Sequence, residues 1–165
     1  MDNVESILGA ALGIGMFAIL ALFFIFCMAI VVYSIWQILL LQKTLRYFGH
    51  PKPWYMWIPF LNIYTLASLC GRPGQKVKIL GFDLDYEIFK FGWIAPFIVN
   101  FIPIIGQVAF FVLTVIYYGK VYSYILAVLE NRSEESMGAK GYIAALVPFA
   151  LPIFLTRDFK RLGFK

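Results

Sequence analysis

Three carboxylates in one polar stretch are the first residues whose types and spacing could do chemistry. Asp83, Asp85 and Glu87 alternate with apolar residues between Gln75 and Lys90, which is the period-two pattern of a half-buried strand. A strand would place the three carboxylates on one face, where they could bind a cation. A hard cation, however, needs oxygen ligands from more than one segment, and no second acidic cluster lies in the neighbouring polar sequence. The pattern therefore favours a solvated face, and we expect no metal site.

The other residue types that do catalysis are few and isolated. His50 is the one histidine, and it stands between Gly49 and Pro51 in a predicted turn. Cys27 and Cys70 lack the spacing of a CxxC pair, so we expect two buried, reduced thiols. No glycine-rich phosphate loop follows a predicted strand. We therefore expect no catalytic residues, no cofactor and no nucleic-acid partner, and we predict that the protein is not an enzyme.

The segments that carry these residues are built for a lipid environment. Of 165 residues, 62% are hydrophobic and 14% are charged, whereas a soluble domain carries roughly 25% charged residues. Residues 7–41 contain no charged side chain, and about 18 such residues are enough to read as a membrane span. Because Asp2 and Glu5 precede this long run, it does not resemble a cleaved signal peptide. We predict a retained first span over 7–41.

Residues 91–129 hold the second long apolar run, which two prolines interrupt. Pro96 and Pro103 each remove a backbone donor and clash with the preceding turn, so a straight helix is not expected. We predict a broken second span over 91–129, with a bend at 102–106.

Two shorter apolar segments complete the predicted fold. Residues 141–156 contain Pro148 and Pro152 and form a short third span. Residues 54–70 open with tryptophan and tyrosine, which prefer the headgroup region, so we predict a re-entrant or interfacial helix. The polar stretch 75–90 becomes a cytoplasmic link. The predicted fold class is an all-α integral membrane protein, with residues 1–165 forming a single small bundle of about three spanning helices.

The placement of Lys and Arg tests this topology, because these residues accumulate on the cytoplasmic side. With the amino terminus outside and residues 54–70 not crossing, 11 Lys and Arg lie inside and 3 outside. Letting 54–70 cross gives 6 inside and 8 outside, which argues against that model. A reversal of the chain at Pro103 gives 10 inside and 4 outside and stays open as the second-ranked model, because its arms look short for a span.

Four polar residues within the apolar segments could line a pore or a transport site. Asn62 and Asn100 follow similar Trp-Ile-(Ala)-Pro-Phe motifs, and Gln107 and Thr114 lie farther along the second run. Paired broken helices surround the substrate site of some transporters. The alternative is that each Asn satisfies backbone groups that a proline-broken helix leaves free. No charged residue accompanies either Asn, which favours this second interpretation.

Small residues at helical spacing indicate close helix packing. Gly9 and Gly13 form a GxxxG pair near the start of the first span, and Gly141 and Ala145 form a second small-xxx-small pair. Such pairs let two helix backbones approach in a medium where apolar side chains gain nothing by leaving lipid. They predict either packing within the chain or docking of the first helix on a partner or a second copy.

A motif between Gly49 and Gly74 resembles an uncharacterised family of small bacterial membrane proteins. The motif consists of Gly49-His-Pro-Lys-Pro-Trp54, then Ile58-Pro59 with Asn62 and Tyr64, then Gly71-Arg-Pro-Gly74. The chain departs from the family pattern at Gln75, where an aromatic residue usually leads into the next span. The resemblance implies a bacterial membrane protein, and we expect the cytoplasmic (inner) membrane, with several crossings, the amino terminus outside and the carboxyl terminus in the cytoplasm.

Members of that family are sometimes labelled signal peptidase I, which pairs a serine nucleophile with a lysine base. Ser136-Met137 resembles the nucleophile motif, and Lys140 lies nearby. The surrounding stretch, residues 130–141, is a short hydrophilic loop with no sizeable β domain behind it, so this chemistry is not expected here.

Three classes of function follow, in this order of preference. The first is a membrane-embedded interaction or accessory subunit of a larger membrane complex, whose partners are the lipid bilayer and either another membrane protein or a second copy. A small oligomeric channel or transporter is the alternative. A membrane enzyme comes third, because the sequence offers packing surfaces and no reactive groups.

Overall fold

The computed structural model describes the backbone of residues 2–103 and 105–164, and the side chains of residue 13, residues 15–103 and residues 105–164. The chain divides into two units, Met1–Gln37 and Ile38–Lys165. The elements in chain order are α1 (Asp2–Tyr47), a 3-10 helix (Pro53–Trp57), α2 (Leu61–Ser68), β1 (Lys76–Ile79), β2 (Phe82–Asp85), α3 (Tyr86–Phe91), α4 (Ile94–Val99), α5 (Ile105–Glu130), α6 (Glu134–Leu146) and α7 (Ala150–Arg161).

Two helices are long and apolar enough to cross a membrane, Gly15–Tyr47 within α1 and Ile105–Glu130 as α5. The predicted first span, 7–41, lies inside α1. At about 1.5 Å per residue this charge-free run exceeds the hydrocarbon layer of about 30 Å. Its length follows from the absence of proline and of charge between residues 7 and 41. The prediction of a mostly helical chain with membrane-length helices is confirmed at this level.

The polar link 75–90 folds into a β-hairpin, so the fold is not purely α. Strands β1 and β2 pair antiparallel, with Lys76 opposite Asp85 and Lys78 opposite Asp83. Their two-residue turn, Leu80-Gly81, has positive φ at both positions, 47° and 92°. The predicted alternation ends at Asp85, where α3 begins and buries the ring of Tyr86. The strand expectation is therefore confirmed for 82–85 and wrong for 86–88, and β2 is exposed on both faces rather than half-buried.

The bend predicted at 102–106 is a reversal of the chain. The ring of Phe97 lies 5.7 Å from that of Phe110, and farther from the turn Phe89 lies 5.2 Å from Tyr117. Contacts that spread outward from one turn are those of an antiparallel pair, so the chain through α3 and α4 returns along α5. A Cβ at Gly106 would lie 3.2 Å from the backbone of Asn100. The absence of a side chain at Gly106 therefore lets the start of α5 approach the end of α4 closely. The expectation that 91–129 continues in one direction is corrected, because the chain turns back at the bend.

Residues 54–70 also fold back. The 3-10 helix and α2 are separated by Pro59 and by Phe60, whose φ of 66° is uncommon for a bulky residue. The ring of Phe60 stacks on that of Trp93 at 5.3 Å. At the other end of α2, the hydroxyl of Tyr86 donates a hydrogen bond of 2.8 Å to the carbonyl of Ser68. α2 therefore lies beside α3 and α4 and runs in the opposite direction.

The predicted third span, 141–156, is not one helix. α6 ends at Leu146 and α7 begins at Ala150, and the break between them contains Pro148. Proline accounts for the break because it removes a helical donor and clashes with the preceding turn. With 13 and 12 residues, neither helix is long enough to span about 30 Å alone. The single-helix expectation is therefore corrected to two short helices.

The second unit, Ile38–Lys165, has an apolar core of its own. Fully buried side chains come from the end of α1, from α3, from α5 and from α7, among them Leu45, Phe89, Ile125, Leu126 and Leu155. This core positions the residues of the candidate sites.

Candidate functional sites

The first candidate site is the exposed face of α1. Large apolar side chains from Met16 to Val32 are exposed, and most of them exceed 60%, as Phe17 does at 74%. A Cβ added at Gly13 or Gly15 would have no atom within 4 Å. The side chain positions before residue 13, including Gly9, lie outside the described residues. Within the part of the chain that the structure describes, Gly13 and Gly15 therefore both leave room for close approach by another helix.

The second predicted small-residue pair packs within the chain. A Cβ at Gly141 would lie 2.5 Å from the carbonyl oxygen of Gly119 and would also meet the hydroxyl of Ser123. That hydroxyl donates a hydrogen bond of 2.6 Å to the Gly119 carbonyl. Gly141 thus lets α6 approach the backbone of α5, while Ala145 is half-buried. Close packing at this glycine is what the small-xxx-small spacing predicted, and here it joins two helices of the same chain.

The four predicted polar residues do not share one site in the described chain. Thr114 lines a cavity of about 110 Å³ whose other walls are apolar or aromatic, including Trp93. Asn62 is half-buried and its Oδ1 has no hydrogen-bond partner among the described residues. Asn100, in the 100–103 turn, and Gln107, in the first turn of α5, are both exposed. Within one chain, the pore-lining arrangement expected of a channel is therefore not formed.

Ser136 and Lys140 are engaged separately. The Ser136 hydroxyl donates a hydrogen bond of 2.7 Å to the backbone carbonyl of Ser133. The Lys140 ammonium lies 2.7 Å from the carboxylate of Glu130. Each of these two side chains therefore has a partner other than the one that a serine–lysine pair requires.

One carboxylate of the polar link forms an ion pair, and the other two stand opposite lysines in the strand register. Asp83 and Asp85 stand opposite lysines across the hairpin, and Glu87 forms a 2.6 Å ion pair with Lys90. This carboxylate raises the pKa of Lys90 by accepting a hydrogen bond from its ammonium. Among the described residues, no group of three or more His, Cys, Asp or Glu side chains could hold a metal. The carboxylates form the solvated face that the sequence predicted.

One polar cavity was not predicted. A volume of about 310 Å³ opens between the hairpin turn, α5 and α6. Lys120 of α5 forms an ion pair with Glu134 at its wall. The remaining polar lining includes Lys78, Glu135 and Tyr142. Sequence reasoning missed this cavity because its residues come from three segments, and only tertiary packing brings Lys78 beside Lys120.

Comparisons with protein-family models, with curated proteins and with solved structures gave no match. The family resemblance carried by residues 49–74 therefore stays a prediction.

Proposed function

We propose that this protein is a membrane-embedded interaction or accessory subunit of a larger membrane complex, with no catalysis of its own. The observation that carries the proposal is the exposure of α1, where apolar side chains from Met16 to Val32 face outward along more than four helical turns. A water-soluble protein rarely exposes so large an apolar surface, which is instead covered by lipid or by protein.

The small residues of α1 supply the reason to expect a protein partner as well as lipid. Lipid chains are as apolar as leucine, so helix association in a bilayer depends on close van der Waals packing. The open space around Gly13 permits such an approach, and Gly9 precedes it by one turn in sequence. We propose that this face docks on a helix of another membrane protein or of a second copy.

The proposed location is the cytoplasmic membrane of a bacterium, with the amino terminus outside and the carboxyl terminus inside. The motif resemblance supports the bacterial assignment. The orientation is supported by charge, because Asp2 and Glu5 precede the apolar run, whereas Lys43 and Arg46 follow it. Basic residues beside a span favour the cytoplasmic side.

The test compares two identical substitutions on opposite faces of α1. Gly13→Ile and Gly15→Ile add the same side chain two residues apart, about 200° around the helix. We expect Gly13→Ile to reduce the recovery of partner proteins, or of a second tagged copy, at least tenfold after mild detergent extraction. The branched side chain would hold the two backbones apart.

Gly15→Ile is the matched control and should leave the recovery unchanged. Equal recovery with both variants, at normal expression, would contradict docking through the Gly13 face. Equal loss with both would show that the whole helix, and not this face, is sensitive to bulk.

A further inference from the structure

Three turns in the second unit share one composition. They are the segment at Pro59-Phe60, the 100–103 turn with Pro103, and the 147–149 break with Pro148-Phe149. We call them the tip loops. Their apolar side chains are exposed, to 54% at Phe60, 87% at Phe101 and 57% at Phe149. The repeated proline and aromatic residues therefore mark positions where the chain turns and presents apolar surface.

The first two tip loops lie at the same end of the unit. The centroids of the Phe60 and Phe97 rings lie 6.2 Å apart. Phe97 stands three residues before the 100–103 turn begins. The chain enters this segment from Phe48, whose ring lies 6.5 Å from Tyr124 near the opposite end of α5. It leaves at Ser68, which is bonded to Tyr86 at the hairpin. The 54–70 segment therefore starts and finishes at the opposite end of the unit from its tip loop.

The third tip loop points the same way. Along α6, contacts with α5 move from Ser123, near Gly138, to Gly119, near Tyr142. α6 thus runs toward the amino-terminal end of α5, which follows the 100–103 turn. α7 then returns, because the Arg161 guanidinium donates a 3.0 Å hydrogen bond to the Leu129 carbonyl.

Charge is segregated to the other end. Residues 53–71, 91–119 and 141–156, which form the arms and tips, contain no Lys, Arg, Asp or Glu. The segments before, between and after these arms carry all the charge of residues 38–164, with 13 basic and 7 acidic side chains. This end therefore carries a net positive charge that suits the anionic headgroups of a cytoplasmic leaflet.

The lengths of the arms decide between crossing and re-entry. α5 as a whole is long enough to cross a membrane, but its charge-free part, residues 105–119, measures about 22 Å at 1.5 Å per residue and ends at Lys120. The hydrocarbon layer is about 30 Å thick, so this charge-free part enters beyond one leaflet without reaching the far surface. Non-helical turns at membrane depth are tolerated where their backbone is covered by protein, and Gly106 lies close to the backbone of Val99 and Asn100 here.

We propose that the chain after α1, residues 48–165, does not cross the membrane but enters it from the cytoplasmic side as three re-entrant hairpins, with the tip loops in the hydrocarbon and the basic end among anionic headgroups. Only α1 then crosses. This arrangement places all 14 Lys and Arg on the cytoplasmic side, compared with 11 in the three-crossing model. It concerns lipid contacts and does not depend on the proposed partner subunit.

Single cysteines in a chain without Cys27 and Cys70 test the three topologies. We expect a membrane-impermeant maleimide to label cysteine at Asn3 on intact cells, but to label Ser133→Cys and Leu162→Cys only after the membrane is opened. Labelling of Ser133→Cys on intact cells would support the three-crossing model and overturn the proposal. Labelling of Leu162→Cys on intact cells would support the model with one reversal and a final crossing, and would overturn it equally.

Nitroxide labels on the purified protein identify what covers the tips. In vesicles of phosphatidylethanolamine and phosphatidylglycerol, labels at Phe101→Cys and Phe149→Cys should collide with oxygen at least threefold more, relative to a nickel chelate, than a label at Ser133→Cys. Tips as accessible to nickel as Ser133 would lie in water. Tips shielded from both reagents would be covered by protein. Either result would overturn the proposal.

Discussion

The contact between α5 and α6 makes a quantitative prediction about two glycines of α6. Gly141→Ala and Gly138→Ala are the same substitution one turn apart, and both replace glycine within a helix. Alanine in place of glycine stabilises a helix by about 1 kcal/mol, and this gain is common to both variants. Only the surroundings differ, since a Cβ at Gly138 has no atom within 4 Å.

At Gly141 the added methyl group has no space. It would lie 2.5 Å from both the Gly119 carbonyl oxygen and the backbone nitrogen of Ser123, so the two helices would have to separate. Overpacking of this kind costs about 1–3 kcal/mol. The Ser123 hydroxyl keeps its hydrogen bond to Gly119, because both residues belong to α5. The free energies of unfolding of the two variants should therefore differ by about 1–3 kcal/mol, with Gly138→Ala the more stable.

The buried thiol of Cys70 provides the assay. Cys70 is 7% exposed, so in a chain with Cys27 replaced its labelling reports unfolding of the second unit. Each variant in mild detergent is titrated with sodium dodecyl sulfate, and the midpoint of Cys70 labelling is measured. We expect a lower midpoint for Gly141→Ala than for the parent chain and a higher one for Gly138→Ala. Equal midpoints for the two variants would refute a close approach of α6 to α5 at Gly141.

The same assay checks two smaller effects. Leu80 has φ of 47° in a two-residue hairpin turn, where asparagine is favoured, so Leu80→Asn should stabilise the chain by about 1 kcal/mol. The control Leu84→Asn lies at an ordinary strand position and should not stabilise the chain. Burial raises the pKa of Asp158 above its ordinary value near 3.8, so the folded state binds this proton more tightly and stability falls as pH rises through the raised pKa. Asp158→Asn should therefore be more stable than the parent at neutral pH, with the difference shrinking as pH falls through the raised pKa toward the ordinary value near 3.8 and no longer changing below it; a pH-independent difference would show that the charge is not its cause.

Much of the local structure could be read from the sequence. The alternation of Phe82 to Asp85 identified β2, and the proline at position 103 identified the break before α5. The extension of the strand to residue 88 was wrong because α3 buries Tyr86 and Phe89 on one helical face, which tertiary contacts with α2 and α5 select. A period-two pattern reports alternation, and it cannot exclude a helix whose burial is decided elsewhere in the chain.

The candidate sites divide in the same way. The spacing of Gly141 and Ala145 indicated close packing, but the identity of the opposing surface, Gly119 and Ser123, came only from the structure. The polar cavity between Lys78, Lys120 and Glu134 had no sequence signature at all. Both cases involve segments far apart along the chain, whose proximity is created by the core.

The sequence by itself determined that this chain is apolar, where its charges stand, and that a break at Pro103 precedes α5, because hydropathy, charge and proline act locally. It did not determine the direction in which the chain continues after a break. A proline frees the same backbone groups whether the next helix goes onward or returns. The edge-to-face contact of Phe97 with Phe110 and the stacking of Phe60 on Trp93 decided for return. Direction is a property of long-range packing, and for that reason only the tertiary structure distinguished a hairpin from a span.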